Sequence, residues 1–302
     1  MKFGKPLSNE ELESIDLGLP ADHPDTTKML GGKRNNPRII IGCAKWGRKE
    51  WIGLIYPEKT KEKDFLDHYV QNFNGIEMNT TFYNIKKENV ESWASRAPEG
   101  FKFSPKFSRN ISHLKRLNED AQGFTDYFLE AASGFGDKLG PSFLQMPDNF
   151  SGKYVERLAS YLKSIPEDFP VFVELRHTDW FTDNAIYDET FSMLQEYGKG
   201  AVITDVATRR DVLHQRLSIP KAFIRFNGYD FHPSDYKRLD DWVERAKTWI
   251  DNGLEELYFY AHQEDETYSP ATCDYFIENL NKACGLNMER PNLSAKSKAH
   301  GA

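Results

Sequence analysis

Cysteine is scarce in this chain. Cys43, Cys273 and Cys284 are the three in 302 residues, too few and too odd in number for a disulfide framework, and they lack the CxxC spacing of a zinc site. Reduced, buried thiols are the expectation. Long apolar runs are missing too. No stretch approaches the roughly 18–20 residues that span a bilayer, and the start, MKFGKPLSNEELESIDLGLP, has no apolar segment of the secretory type. These absences predict a cytoplasmic protein with no membrane partner. Basic charge is in short supply, with a formal net charge of −7, which disfavours a general nucleic-acid footprint while allowing a local basic patch. The P-loop, the GxSxG elbow and the GxGxxG fingerprint are all absent, the first strand leading instead into GCAKWGRKEW, so the sequence predicts no nucleotide cofactor. No HxH or HExxH spacing occurs either.

What the chain does contain is eight short β-like runs, at 38–46, 75–83, 101–107, 141–147, 171–177, 200–206, 221–228 and 256–263. Each is followed by a stretch with helical periodicity, as in KEKDFLDHYVQNF, AQGFTDYFLEAASGF and SPATCDYFIENLNKACG; RRDVLHQRL is the weakest and shortest of these. Two later helices carry clear end signals: one starts at a Ser234 cap and stops at Gly253, the other starts at Ser269 and Pro270 and stops at Gly285. Strand alternating with helix implies a parallel sheet, because each parallel connection must cross over it. Eight such units predict a closed (β/α)8 TIM-like barrel in a single domain, of about 250 residues in the ordinary case. The expected boundaries are an irregular N-terminal extension over 1–37, the barrel over 38–285 and a tail over 286–302. The oligomeric state is left open.

Side chains two apart share a face of a strand. Glu77, Asn79 and Thr81 therefore point one way, as do Ser104 with Lys106 and Glu174 with Arg176. Gln145, Asp205, Arg225 with Asn227, and His262 are read as the polar positions of the remaining runs. One face of the sheet is expected to be apolar, and the other to converge on charge.

The blocks IGCAKWGRKEWIGLIYP, GIEMNTTFYNI, FKFSPKFSRNISHLKRL, LGPSFLQMP, VFVELRHTDWF and AFIRFNG together resemble the family catalogued as domain of unknown function 72, the YecE-like proteins. The resemblance runs from about Ile39 to about Leu280 and is carried by Gly42, Trp46, Trp51, Tyr56, Glu77, Asn79, Thr81, Phe82, Tyr83, Lys106, Arg109, His113, Gln145, Pro147, Glu174, Arg176, His177 and Trp180. It implies a TIM-barrel-type fold and brings no established reaction. Two departures stand out: Ala44-Lys45-Trp46 where the family often reads Ser-Gly-Trp, and AHQEDETYSP in place of an Asn-rich turn after the last strand.

In such a barrel the functional surface is the rim at the carboxyl ends of the strands. Glu77, Glu174 and Asp205 bring negative charge there, and Lys106, Arg176 and Arg225 positive charge. One reading is that these groups merely satisfy one another; burying any of them alone would cost several kcal/mol. The favoured reading is a pocket with aromatic walls, from Trp46, Tyr83 and Trp180, around convergent charges. Lys106, Arg109 and His113 lie in a basic loop suited to an anion clamp. The expected ligand is a small anion, phosphorylated or carboxylated, held by Lys106, Arg109, Arg176 and Arg225 and oriented by Asn79, Gln145 and Asn227, with His113, Asp205 and His262 as further substrate-binding candidates. Catalytic candidates are Glu77 and Glu174 for proton transfer, with Lys106 and His177; Lys106 is also a candidate Schiff-base lysine. A retaining glycosidase is disfavoured, because strands four and seven carry Gln145 and Arg225 with Asn227 instead of paired carboxylates. The alternatives are a divalent-metal hydrolase or isomerase using Glu77, Glu174, Asp205 and His262, and a non-catalytic protein binding a metabolite or nucleic acid.

Overall fold

The computed structural model describes residues 8–33 and 36–294. Within them the eight β-like runs form eight strands: β1 (Arg38–Cys43), β2 (Gly75–Met78), β3 (Lys102–Pro105), β4 (Ser142–Gln145), β5 (Val171–Glu174), β6 (Gly200–Asp205), β7 (Lys221–Asn227) and β8 (Glu256–His262). Helices α1 (Asn9–Ser14) and α2 (Pro24–Leu30) precede them, and α3 (Phe65–Tyr69), α4 (Lys87–Arg96), α5 (Gln122–Ser133), α6 (Val155–Lys163), α7 (Asp179–Thr182), α8 (Asn184–Glu196), α9 (Pro233–Asp251) and α10 (Ser269–Cys284) lie between and after them. RRDVLHQRL does not form an α-helix; a 3-10 turn over Ala207–Val212 takes its place. The cap of α9 lies two residues earlier than expected: Pro233 is in its first turn, and the His232 side chain accepts from the Ser234 N–H. No helix among the described residues is long and apolar enough to cross a membrane.

The expected closed (β/α)8 barrel is not formed. Six strands hydrogen-bond in one parallel sheet ordered β1-β8-β7-β6-β5-β4, and β2 pairs with β3 in a separate two-stranded sheet. The large sheet curls into a half-barrel, and the small one lies across its opening. Side chains explain the break between β1 and β2. Asn74 Oδ1 accepts from the Ile41 N–H at 2.8 Å and its Nδ2 donates to the Ile39 carbonyl at 2.8 Å. The Tyr69 hydroxyl accepts from the Cys43 N–H at 2.8 Å and donates to the Gly75 carbonyl at 2.9 Å. These two side chains take the backbone groups that a ladder would use. The strands still touch: a Cβ on Gly42 would meet the Gly75 carbonyl oxygen at 2.0 Å, so only glycine fits there. Between β3 and β4 the pairing thins to isolated bridges at Phe103 with Leu139 and Lys106 with Phe143.

Alternation sorts the strands as expected on their outer faces. Ala222, Ile224 and Phe226 of β7 and Leu257, Phe259 and Ala261 of β8 join the main core beneath the helices. The inner face differs from the expectation of convergent charge. Its lower layer is apolar and aromatic, built from Ile40, Phe143, Phe172, Val202, Phe223, Tyr258 and Tyr260, with Ser104 hydrogen-bonded to the Tyr260 hydroxyl at 2.9 Å. Charge flanks this floor: at the amino ends Lys221 pairs with Glu256 at 3.2 Å, and the larger cluster lies above, at the carboxyl ends of the strands.

The stretch before β1, read as irregular, carries α1, whose Ser8 and Glu11 form a capping box, and α2. Its first seven residues lie outside the described ones. Leu12 and Leu17 bury against Ala207, Arg210 donates to the carbonyls of Leu17 and Gly18, and Arg245 bonds Asp22 at 2.7 Å. The segment thus lies on the turn after β6 and on α9.

The side-chain bridging of β1 and β2 is directly testable. Tyr69→Phe keeps the packing of a fully buried ring but leaves the Cys43 N–H and Gly75 carbonyl without a partner, and should lower the unfolding free energy by about 2–4 kcal/mol in urea titration. A loss under about 0.5 kcal/mol would mean that the two groups pair elsewhere.

Candidate functional site

Six of the predicted polar residues meet above the aromatic floor as one hydrogen-bonded chain. At its centre lies Arg225 on β7. Its Nε and Nη2 donate to Glu77 Oε2 and Oε1, each at 2.7 Å, and its Nη1 donates to Glu174 Oε2 at 2.7 Å. Glu174 Oε1 accepts from Arg176 Nε at 2.6 Å. Arg176 Nη2 continues to Gln145 Oε1 at 2.8 Å, and the same oxygen accepts from Lys106 Nζ at 2.8 Å. Two further predicted residues close the Glu77 end: Asn79 Nδ2 donates to Glu77 Oε1 at 2.8 Å, and His262 Nε2 lies 3.1 Å from Glu77 Oε2. Since an ionised carboxylate only accepts, that His262 nitrogen carries the proton.

These groups come together because each sits at or just past the carboxyl end of its strand, where parallel sheets place their ligand crevices. Glu77, Glu174 and Gln145 are buried, and Lys106, Arg176 and Arg225 keep only 5–6 % of their surface exposed. Burial alone would raise both carboxylic acids. For Glu77 it is outweighed by Arg225 and His262 together, which hold the carboxyl well below the usual range. For Glu174, Arg176, Arg225 and Lys106 outweigh it. Both are therefore fixed carboxylates, and neither keeps a proton to give near neutral pH. The expectation that they transfer protons meets this obstacle: each is a counterion to arginine.

Lys106 has the opposite balance. Burial first, then the nearby Arg225 and Arg176, push its ammonium down to about 7, against the pull of Glu174 and Glu77. It makes no ion pair of its own among the described residues. Its nitrogen instead lies 4.5 Å from the centre of the Phe82 ring and 5.7 Å from that of Phe143, contacts worth about 0.5–2 kcal/mol each. Phe82, which the sequence reading does not place in the site, stands inside the GIEMNTTFYNI block. His113 packs edge-on against the same ring at 4.9 Å. Burial and then the charges of Lys106, Arg176 and Arg109 push its imidazole down to about 4, so it is neutral at physiological pH.

Other predicted residues stand elsewhere. Asp205 does not join the cluster: it has the parity of Ala201 and Ile203 and faces outward, pairing with Arg238 at 2.8 Å and with Arg210 and accepting from Trp242 Nε1 at 2.7 Å. Thr204 takes the inward position, beside Arg225 in the register of β6 with β7. Trp180 is wholly buried and donates to the Phe150 carbonyl at 2.6 Å, so it lines no pocket. Trp46 packs edge-on against Trp93 at 5.4 Å. His177 caps its own turn, accepting from the Asp179 N–H at 3.2 Å. Asn227 Nδ2 donates at 3.3 Å to the carbonyl of Arg225 in its own strand. Arg109 is exposed, and Tyr83, at 78 % exposure, is the most open of the large hydrophobic residues among those described. Among the described residues no group of three His, Cys, Asp or Glu side chains is placed to hold a metal ion; Glu77 is engaged by Arg225, and Asp205 is on the far side of the sheet.

The central guanidinium sets the pH response of stability. Replacing Arg225 by Leu strands two buried carboxylates and should lower the unfolding free energy by about 3–5 kcal/mol, and adding Glu77→Gln and Glu174→Gln should restore a large part of it. Because both folded pKa values are depressed, the stabilisation is complete above the unfolded value of about 4.3 and is lost as pH falls below it. Acid titration of the triple variant should accordingly show a shallower loss than the native chain, and an equally steep one would remove these carboxylates from the acid transition.

Comparison with known proteins places this geometry in a family. The family described as protein of unknown function DUF72 matches residues 40–295, and the chain belongs to it, as the strand-end motifs led us to expect. UPF0759 protein YecE of Escherichia coli K12 is 27% identical over 263 residues, covering 81% of this chain and 93% of that protein. UPF0759 protein YunF of Bacillus subtilis 168 is 24% identical over 253 residues, covering 76% and 81%. Among solved structures, a DUF72 family protein of Enterococcus faecalis V583 aligns with a TM-score of 0.63 at 17% identity over 84% of this chain and 98% of that one. One from Thermotoga maritima MSB8 aligns with a TM-score of 0.62 at 19% identity, over 81% and 99%.

Proposed function

We propose that the strand-end cluster binds a small anion, a carboxylate or an oxyacid, and that Lys106 is the group that meets it. The observation that carries this reading is the charge inventory of the hydrogen-bonded chain: Glu77 and Glu174 stand against Arg225, Arg176 and Lys106. Both carboxylates are taken by guanidinium groups, and Asp148 acts on Arg176 as well, whereas Lys106 has an amide oxygen and two rings but no carboxylate of its own. An anion supplies the missing charge. Burial makes that exchange strong, because Coulomb attraction grows as solvent is excluded. In the chemistry that follows, the proton moves through Lys106, not through Glu77 or Glu174.

The groups facing Lys106 are Glu77 on β2, Glu174 and Arg176 at the end of β5, Arg225 on β7, the neutral Gln145 and Phe82, and His113 from the loop after β3. The carboxylates, the guanidinium groups and His113 hold fixed charge states around neutrality, so Lys106 alone among them sets the pH dependence. Acetate and sulfate are suitable probes because neither titrates between about pH 6 and 9. Their affinity in calorimetric titration should fall as pH rises through about 7, and Lys106→Met should weaken binding by roughly tenfold, or ~1.4 kcal/mol, and flatten the pH profile. Equal affinity in the variant refutes the reading.

A stability measurement separates binding from scaffolding. The folded pKa of Lys106 lies below its unfolded value, so its burial is destabilising at pH below about 7, and that penalty fades as pH rises toward about 10.4. Lys106→Met should thus raise the unfolding free energy near neutral pH by on the order of 1–3 kcal/mol, the gain disappearing at high pH. A destabilised variant would instead make Lys106 part of the scaffold.

A further inference from the structure

Three lysines are buried among the described residues: Lys102, Lys106 and Lys199. Two of them are anchored by backbone. Lys102 Nζ donates to the carbonyls of Asp137 at 2.5 Å and Leu139 at 3.4 Å, and Lys199 Nζ donates to those of Pro166, Glu167 and Phe169 at 2.9–3.1 Å. Such cages satisfy the ammonium and hold it still. Lys106 has one amide oxygen, from Gln145, and two ring faces. It stands on the inner side of the sheet, at the strand ends.

His113 adds a second, independent feature. The Ser112 hydroxyl donates to the Ser108 carbonyl at 3.1 Å while its oxygen lies 2.9 Å from His113 Nδ1. With the single hydroxyl proton directed at Ser108, His113 Nδ1 is the donor of that contact and Nε2 holds a bare lone pair. That Nε2 is buried and has no hydrogen-bond partner. Its ring and the Lys106 amine both contact the Phe82 ring.

We propose that Lys106 is an imine-forming nucleophile, with His113 as its proton carrier, and that the substrate is a small oxo-acid, a carbonyl compound that also bears a carboxylate. This rests on the anion-binding reading: the protonated form of Lys106 draws the carboxylate in, and loss of that proton to solvent gives the amine that attacks. The neutral Nζ attacks the carbonyl carbon, the C–N bond forms and the carbonyl π pair moves to oxygen. Both nitrogen protons reach the former carbonyl oxygen by way of His113 Nε2, the first to form the carbinolamine and the second as its hydroxyl departs. The C–O bond then breaks, one water leaves and the lysine–carbon imine remains. No oxidant or reductant is consumed. The surroundings favour the attacking form: with a pKa of about 7, roughly half of Lys106 is neutral at pH 7, against on the order of a thousandth for an ordinary lysine.

The test uses the full chain with glyoxylate as probe and sodium cyanoborohydride to reduce any imine to a stable secondary amine, followed by peptide mapping in a mass spectrometer. The expected result is that the Lys106 peptide is modified at least about tenfold faster than those of Lys102, Lys199 and the exposed lysines. Lys106→Arg abolishes that adduct, and His113→Gln slows it by roughly 100-fold. Should Lys106→Arg fail to fold by circular dichroism, the comparison of peptides within the native chain decides alone. Modification of Lys106 no faster than of Lys102 overturns the proposal. Acetate and sulfate binding measured on the same preparation separates the two readings: binding without a Lys106 adduct overturns the imine and leaves the anion site, whereas loss of both overturns both.

Discussion

The upper half of the sheet is organised by one guanidinium. Arg225 reaches two carboxylates from two different sheets, Glu77 on β2 and Glu174 on β5, at 2.7 Å each, and thereby ties the small sheet to the large one across the inner face. No backbone ladder does this on the β1 side, where Tyr69 and Asn74 stand between the strands. A buried pair of this kind adds little net stability over an apolar filling of the same shape, but removing one member is severe. Its effect here is specificity. Each carboxylate accepts two or more directed bonds, so the strand ends have one arrangement that satisfies them all.

Much of the fold was legible because strands and helices leave different periods. All eight strands stand where alternation placed them, and each ends earlier than its apolar run because the last residues turn into the loops. Closure was not legible. Whether neighbouring strands share a ladder depends on whether their backbone groups are free, and the groups of β1 and β2 are taken by a tyrosine 26 residues and an asparagine 33 residues from their main partners. An eight-strand count cannot show that. The small helices before β1 escaped notice for a related reason. At six and seven residues they are too short to display a period, and their stability comes from docking on α9 and the turn after β6.

The candidate site was legible in its central members and blurred at its edges. Glu77, Lys106, Gln145, Glu174, Arg176 and Arg225 were all found by parity, and all belong to one chain of hydrogen bonds. Asp205 was misplaced because β6 ends in Thr204-Asp205, two polar residues on opposite faces, and the charged one was taken for the inward one. Its true partners are Arg238 and Trp242 on α9 and Arg210 in the turn. Trp180 was misplaced because a tryptophan beside a strand end reads equally as a wall or as core. The indole N–H found the Phe150 carbonyl, which allowed the ring to bury completely.

The Asp205 network shows what a purely structural set of buried charges looks like in this protein. Asp205 and Asp235 face Arg210 and Arg238, two against two, and Arg238 is fully sealed with its remaining donors on the Asn227 carbonyl. Removing Asp205 leaves the Arg210 and Arg238 guanidinium groups and the Trp242 N–H without the carboxylate they share. Lys106 does not fit that pattern. Take it away, and Gln145 Oε1 still accepts from Arg176, Glu174 still accepts from Arg176 and Arg225, and Glu77 still holds Arg225 and Asn79. Nothing around it becomes unsatisfied. A buried ammonium with a depressed pKa raises the free energy of the folded chain, and an apolar side chain would fill the space beside Phe82 and Phe143 more favourably. Scaffolding therefore gives no reason for a lysine at this position, and that is the argument for the proposed encounter of its amine with an anion.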